Sequence, residues 1–292
     1  MDESQSNLID IQKIIQSKMP KAAKVMPRFV MRWIKKLLHE DDINEVLTKY
    51  GHLYGVDFVN ATIQDFNLTI EKIGEEHLSE SERIIVASNH PLGGLDGIAL
   101  IGTVGTYRPD VITPVNDFLM FIKNLQPIFI PVNKVGANAK GNAADNVRIF
   151  NETFEGEKPI CYFPFGLCSR KTKGGKIIDL EWKKTFVTKA RQHQRDIIPT
   201  HINGKNSDFF YNLARTRKAL HIKANLEMAF LVDEFFKQRN KSLSITFGKP
   251  IPWETFDKRH SDNEWARRLR NFSYNLEKDP NITFDPEKEY DL

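Results

Sequence analysis

The sequence predicts an α/β fold: a central, mostly parallel or mixed sheet flanked by helices, with an N-terminal helical segment in front of it. Two observations carry this prediction. Short runs rich in β-branched residues recur along the chain, and helix-like stretches separate them. A third makes it affordable: 292 residues, 40% of them hydrophobic and 27% charged, suffice for a sizeable core. The same composition excludes collagen-like repeats, disulfide scaffolds and wholesale disorder.

In chain order, residues 1–55 form the helical segment. Between Ile11 and His39 stand eight bases and no acid. Phe29, Val30, Trp33, Ile34, Leu37 and Leu38 fall on one helical stripe, and Arg28, Arg32, Lys35 and Lys36 lie largely off it, so a basic amphipathic helix is expected over about 27–39. Such a helix either packs on the protein's own core with its basic face in water or lies in a membrane interface. A second helix should start at Asp41 or Asp42 and stop at Gly51. Residues 56–275 are the expected main domain. Its first part, 56–75, alternates enough to suggest strand or mixed structure. Strands are expected at 83–88, 128–132, 160–163, 197–201 and 244–247, with helices from Asp96 and around 143–154, 182–193 and 226–236. The tail, 276–292, is rich in Asp, Glu and Pro and reads as an irregular, solvated end.

The longest stretch free of Asp, Glu, Lys and Arg is twelve residues, Ile84 to Leu95, against the roughly 20 apolar residues a spanning helix needs. Residues 1–20 carry no continuous apolar run of the kind a signal peptide has. A cytoplasmic protein, peripheral on the inner face of the membrane, is the expectation. Cys161 and Cys168 lack CxxC spacing, so no metal site and two reduced thiols are expected.

In open sheets, ligands collect beyond the carboxyl ends of strands. That directs attention to Asn89-His90-Pro-Leu-Gly-Gly-Leu-Asp96, which follows the first strong strand. An imidazole suits proton abstraction from a hydroxyl near neutral pH, and a carboxylate can fix its tautomer. Asp96 could equally cap the following helix, leaving His90 an ordinary strand-end histidine.

Asn89-His90 with Asp96 resembles the first motif of the PlsC-like (lysophosphatidic-acid acyltransferase) superfamily. Three further segments follow in the family's order: Pro127-Ile-Phe-Ile-Pro-Val-Asn-Lys134, Tyr162-Phe-Pro-Phe-Gly-Leu-Cys-Ser-Arg170 and Ile197-Ile-Pro-Thr-His-Ile202. The resemblance covers roughly residues 80–250. It implies a glycerol-phosphate-acyltransferase-like fold and a catalytic His90–Asp96 dyad, with His90 as general base and Asp96 orienting it. It implies substrate contacts at Asn89, Gly94, Asn133, Lys134, Phe163, Pro164, Gly166, Ser169 and Arg170. Amides of the glycine loop or of the next helix N-terminus would stabilise the oxyanion. The donor would be an acyl carrier protein or coenzyme A thioester, with no resident cofactor, and Arg170, Lys171, Lys173 and Lys176 would suit its phosphate or acidic carrier. These cations read equally as a solvated loop.

Departures from the pattern point to one branch. Five residues separate His90 from Asp96 where four are usual. Phe165 and Cys168 occupy the third-block positions of a Glu and an Arg associated with a glycerol-phosphate acceptor, and Lys134 replaces an Arg. These features are more similar to a hemolysin-labelled branch that includes O-acyltransferases of ornithine and glycine lipids. The implied reaction is acylation of the hydroxyl of a monoacylated amino-acid lipid at a membrane surface. The alternatives are a 1-acylglycerol-3-phosphate acyltransferase, a non-catalytic membrane-surface module, and a thiol hydrolase with Cys168 as nucleophile. The net charge of +4 without interleaved aromatics gives no reason to expect nucleic acid.

Overall fold

The computed structural model describes residues 8–132, 143–222 and 226–292. Five helices come first: α1 (Ile11–Lys18), α2 (Pro20–Val25), α3 (Arg28–Leu37), α4 (Glu40–Tyr50) and α5 (Gly55–Asp65). There follow β1 (Thr69–Ile73), β2 (Ile84–Ser88), α6 (Leu95–Tyr107), β3 (Thr113–Val115), β4 (Phe129–Pro131), α7 (Ala143–Glu155) and β5 (Ile160–Tyr162). The chain closes with β6 (Arg170–Lys171), β7 (Ile177–Ile178), α8 (Thr185–His193), β8 (Asp196–Asn203), α9 (Asp208–Ala219), α10 (Leu231–Phe236), β9 (Ser242–Phe247) and α11 (Asp262–Asn275).

The main sheet has the order β1-β9-β8-β2-β5 and is mixed. Strand β2 is parallel to both neighbours, with Val86 opposite Cys161 on one side and Ile198 on the other, whereas β8 and β9 are antiparallel. Every residue of β2 is buried, as expected for a strand covered on both faces. Its period-2 alternation divides the core. Ile84 and Val86 join Ala99, Leu100 and Val104 of α6 and Phe58 and Val59 of α5, while Ile85 and Ala87 join Phe186 and Val187 of α8 and Trp265 and Leu269 of α11. The α/β architecture expected from the sequence is the one observed.

Three local expectations are corrected. Residues 55–65 are helical, because Phe58, Val59, Thr62 and Phe66 recur at helical spacing and are buried; the strand begins only at Thr69. The run at 128–132 does form a strand, but it pairs with β3 in a separate two-stranded sheet beside the β5 edge, where Ile112 bridges Ile160. Pro114 and Pro131 fit that peripheral place, since neither can donate to a ladder. The tail is docked, not solvated. Tyr290 is 4% exposed among Phe272, Leu276 and Phe284, and Arg268 donates to the Pro286 and Lys288 carbonyls at 3.2 and 3.0 Å. Acidic composition concealed this because the capture is mostly of backbone carbonyls, Asn271 holding that of Tyr290 in addition.

Helix α3 forms where expected but buries no residue. Phe29 and Trp33 are 68% and 55% exposed beside exposed Arg28, Arg32 and Lys36, while Val30, Ile34 and Leu37 turn partly inward. Four of the six residues of the apolar stripe are thus half-buried, while Phe29 and Trp33 stand in solvent. Among the described residues no helix is long and apolar enough to cross a membrane.

Replacing Tyr290 by Ala should lower unfolding free energy by about 2–4 kcal/mol, the cost of deleting a buried aromatic. Urea unfolding measures this, and a loss below about 0.5 kcal/mol, as at an exposed site, would mean the tail contributes nothing to the fold.

Candidate active site

Strand β2 ends at Ser88 in the middle of the sheet, and the chain turns sharply over its carboxyl end. Asn89 makes the exit. Its side chain accepts from Ile202 N–H at 2.7 Å and donates to the Ile202 carbonyl at 2.9 Å, extending the β2–β8 pairing by one side-chain rung. The sequence places Asn89 among the substrate contacts; buried and doubly engaged, it is a backbone anchor instead. The fourth block thus meets the first through Ile202, while its His201, pulled down to about 4 by burial, packs edge-on against Tyr274.

The loop from His90 to Leu95 wraps around the Asp96 carboxylate. Asp96 lies in the first turn of α6 and is fully buried. Its Oδ2 takes His90 Nδ1 at 3.0 Å and accepts from the N–H groups of Leu92 at 2.8 Å and Gly93 at 3.1 Å; Oδ1 accepts from Gly97 N–H at 2.9 Å. The five-residue spacing therefore brings the two side chains together. Both sequence readings of Asp96 hold at once, since it binds helix and loop amides as well as the imidazole. Gly93 has φ +81°, and a Cβ there would come within 2.8 Å of Leu231 on α10. Because Asp96 occupies the Leu92 and Gly93 amides, these two cannot serve an oxyanion. The N-terminus of α6, which Gly94 caps, remains for that purpose.

With Nδ1 bound to the carboxylate, His90 directs Nε2 away from it, and 16% of the side chain remains open. The Phe163 ring stacks on the imidazole at 4.2 Å. Burial pulls the imidazole pKa down, but Asp96, by charge and hydrogen bond, and then Asp179, by charge, outweigh it and leave the group above its ordinary value. A neutral His90 held in this way can accept a proton at Nε2 and keep the resulting imidazolium against Asp96.

The third block packs against this loop. Ser169 N–H donates to the His90 carbonyl at 2.8 Å, and the Cys168 thiol donates to the Pro91 carbonyl at 3.1 Å. Pro164 is buried with its carbonyl accepting from Lys183 N–H, and Gly166, φ +63°, forms the exposed tip of the turn. Ser169 is buried, its hydroxyl donating to Asp179 at 2.6 Å. Asn133 and Lys134 lie outside the described residues.

Arg170 is not the open cation the sequence suggests. It is buried over the Phe210 ring, donating to Glu227 at 3.1 Å and to the Cys168 carbonyl at 3.1 Å, and Glu227 also holds Arg217 at 2.8 Å. Lys171 pairs with Asp208, and Lys176 reaches the Leu292 carbonyl. Lys183 is exposed, with its ammonium 3.6 Å from where a Gly166 Cβ would stand. Cys168 is also corrected as a nucleophile: burial pushes its thiol well above the ordinary range, so it stays protonated.

Asp179 escaped the sequence reading. It follows the short β7 strand with no motif around it, and only the fold brings it under His90, whose N–H it accepts at 3.3 Å.

The sequence model of a family described as acyltransferase matches residues 13–281. The chain belongs to the acyltransferase family. Two curated relatives, from Bacteroides thetaiotaomicron and Phocaeicola vulgatus, are each 44% identical over 270 residues, covering 92% of this chain and 97% and 95% of theirs. Both are named lyso-glycine lipid O-acyltransferase. The crystal structure of the 1-acyl-sn-glycerophosphate acyltransferase PlsC from Thermotoga maritima is similar with a TM-score of 0.48 at 13% identity, over 87% of this chain and 97% of that one. The acyltransferase family expected from the sequence, and within it the kinship with amino-acid-lipid O-acyltransferases, are borne out, and this acyltransferase is an enzyme, not a passive surface module.

His90 should titrate above the roughly 6.5 of a free imidazole, and Asp96→Asn should lower that value, because losing the anion weakens proton binding. Histidine ring-proton NMR measures both; an unchanged value in the variant would mean that Asp96 serves only the loop amides.

Proposed function

We propose that this acyltransferase esterifies the hydroxyl of a lyso-glycine lipid, an N-(3-hydroxyacyl)glycine, with a fatty acyl group from an acyl carrier protein or coenzyme A thioester. The observation that supports the reaction is the His90–Asp96 pair at the carboxyl end of β2. The 44% identity to two enzymes of that name supports the acceptor.

His90 Nε2 takes the proton of the acceptor hydroxyl as its oxygen attacks the thioester carbonyl. The tetrahedral oxyanion faces the positive end of α6, and collapse expels the thiolate, which recovers the proton from the imidazolium. No acyl-enzyme forms. Phe163, stacked on the imidazole, is placed to fix the ring plane and to border the lipid hydroxyl.

The third block supports an acceptor without a phosphate. Phe165 and Cys168, standing where a Glu and an Arg are associated with glycerol phosphate, are both buried in apolar clusters, and Arg170 is spent on Glu227. Lys183 beside the Gly166 turn is the cation we assign to the anionic end of a substrate.

A lipid acceptor must be reached in its bilayer. Phe29 and Trp33, projecting from α3 among bases, supply an apolar wedge and a cationic collar for an anionic membrane surface. Phe29→Ala and Trp33→Ala should each weaken binding to anionic vesicles severalfold without moving thermal unfolding, since neither ring is buried; co-sedimentation tests this, and unchanged binding would remove α3 from the contact.

Acyl transfer from labelled carrier protein to N-(3-hydroxyacyl)glycine, N-(3-hydroxyacyl)ornithine and lysophosphatidate, read by mass spectrometry, should give the ester of the glycine lipid preferentially. His90→Ala should lower the rate by about 10²–10⁴ with the fold intact. Phosphatidate as the main product would instead make this a glycerolipid enzyme, and a folded, active His90→Ala would overturn the assigned base.

A further inference from the structure

We propose that Asp179 is a positioning residue of the acyl-transfer reaction, locking the main chain of His90 to the third-block turn and keeping a second negative charge beside the imidazole. This rests on His90 being the base. Asp179 is fully buried between β7 and α8. Its Oδ1 accepts from His90 N–H at 3.3 Å and from the Ser169 hydroxyl at 2.6 Å, and its Oδ2 accepts from Trp182 Nε1–H at 2.8 Å. Ser169 N–H in turn donates to the His90 carbonyl. His90, Ser169 and Asp179 thus close a ring of hydrogen bonds that holds both backbone groups of the putting-down point of the base, its N–H and its C=O.

Three donors converge on two oxygens, an arrangement suited to the ionised carboxylate, which only accepts. Burial pushes the Asp179 carboxyl above its ordinary range, and the Ser169 and Trp182 donors, the His90 charge and the His90 N–H pull it part of the way back down. Among the described residues no Lys or Arg stands within ion-pair distance of Asp179. The other titratable groups facing this corner do little to neutralise it. Asp96 on α6 is a like charge; the Cys168 thiol and the Tyr274 phenol are pushed up by burial and stay neutral; Arg170 is committed to Glu227; and Arg270 on α11 donates to the Leu180 carbonyl. Arg270 lies within electrostatic range of Asp179 without an ion pair to it, whereas the His90 imidazolium is a positive charge beside the carboxylate that forms during catalysis. A carboxylate fixed before the reaction begins stabilises that cation without reorganising.

A purely structural role and this one separate in the pH profile. Asp179→Asn keeps size and an acceptor oxygen but removes the charge, so His90 should bind its proton more weakly. The acid limb of kcat/KM should move to lower pH by about half a unit to one unit. At the plateau kcat should fall about 10–100-fold with KM nearly unchanged, because the lost interaction is strongest in the transition state. Ser169→Ala, which removes a buried hydroxyl but keeps the charge, should lose about 3–10-fold in kcat with the acid limb in place. A folded Asp179→Asn with wild-type kcat and an unmoved limb overturns the proposal. If Asp179→Asn does not fold, Ser169→Ala decides, since wild-type kcat there removes the clamp. An active His90→Ala would defeat the base assignment itself, whereas an inactive His90→Ala beside an unaffected Asp179→Asn would defeat only the role of Asp179.

Discussion

The Asp96 carboxylate is the constraint on which the site depends. A buried anion is tolerable only when donors surround it, and here an imidazole and three backbone amides do so. The requirement works in both directions. The carboxylate pulls the Pro91–Leu95 loop into a tight wrap, and the wrap leaves the imidazole one permitted place. The wrap also explains how a five-residue gap succeeds, because Oδ2 collects successive amides and takes up the slack. Leu92 and Leu95, almost fully buried, pin the loop to the core, and α10 closes over Gly93 with Leu231. Any side chain at Gly93 would meet Leu231 and demand a strained backbone as well.

What could be read in the sequence follows from which interactions are local. The buried β2 run, the glycine loop and the helix after it are legible because composition and spacing within a dozen residues dictate them. Helix α5 is not, since Val56, Phe58, Ala61 and Ile63 alternate enough to resemble a strand and only packing against α6 chooses between the periods. Arg170 and Asn89 are typed correctly by chemistry but not by role. The partners that bury them, Glu227 and Ile202, lie 57 and 113 residues away. Asp179 is the extreme case, because each of its donors is unremarkable in sequence and only their convergence has meaning.

The third block shows how packing assigns different tasks to the residues of one turn. Its turn still stacks Phe163 on the base and still clamps the catalytic loop through Ser169. Yet Phe165 and Cys168 make its inner side apolar, and Arg170 leaves the surface to share Glu227 with Arg217. The turn holds His90 and has no ionic pair at positions 165 and 168, where the PlsC-like resemblance associates a Glu and an Arg with a phosphate acceptor. On the acceptor proposed above, which carries a carboxylate and no phosphate, recognition falls to a cation outside these positions, and Lys183 stands at the rim of the same turn.

The basic N-terminal helices are joined to this chemistry by a continuous set of contacts. His39, at φ 50° between α3 and α4, stacks on Phe236 at 4.4 Å while its ring nitrogens meet Asp42 at 2.7 Å and Asp233 at 3.1 Å. Phe236 and Asp233 belong to α10, whose Leu231 and Phe235 lie over Gly93 and Gly94. Close-packed side chains transmit displacement because they have little room to absorb it. The α3–α4 junction and the loop that carries His90 thus pack against the same short helix, α10, so the placement of the N-terminal helices and that of the imidazole depend on one another.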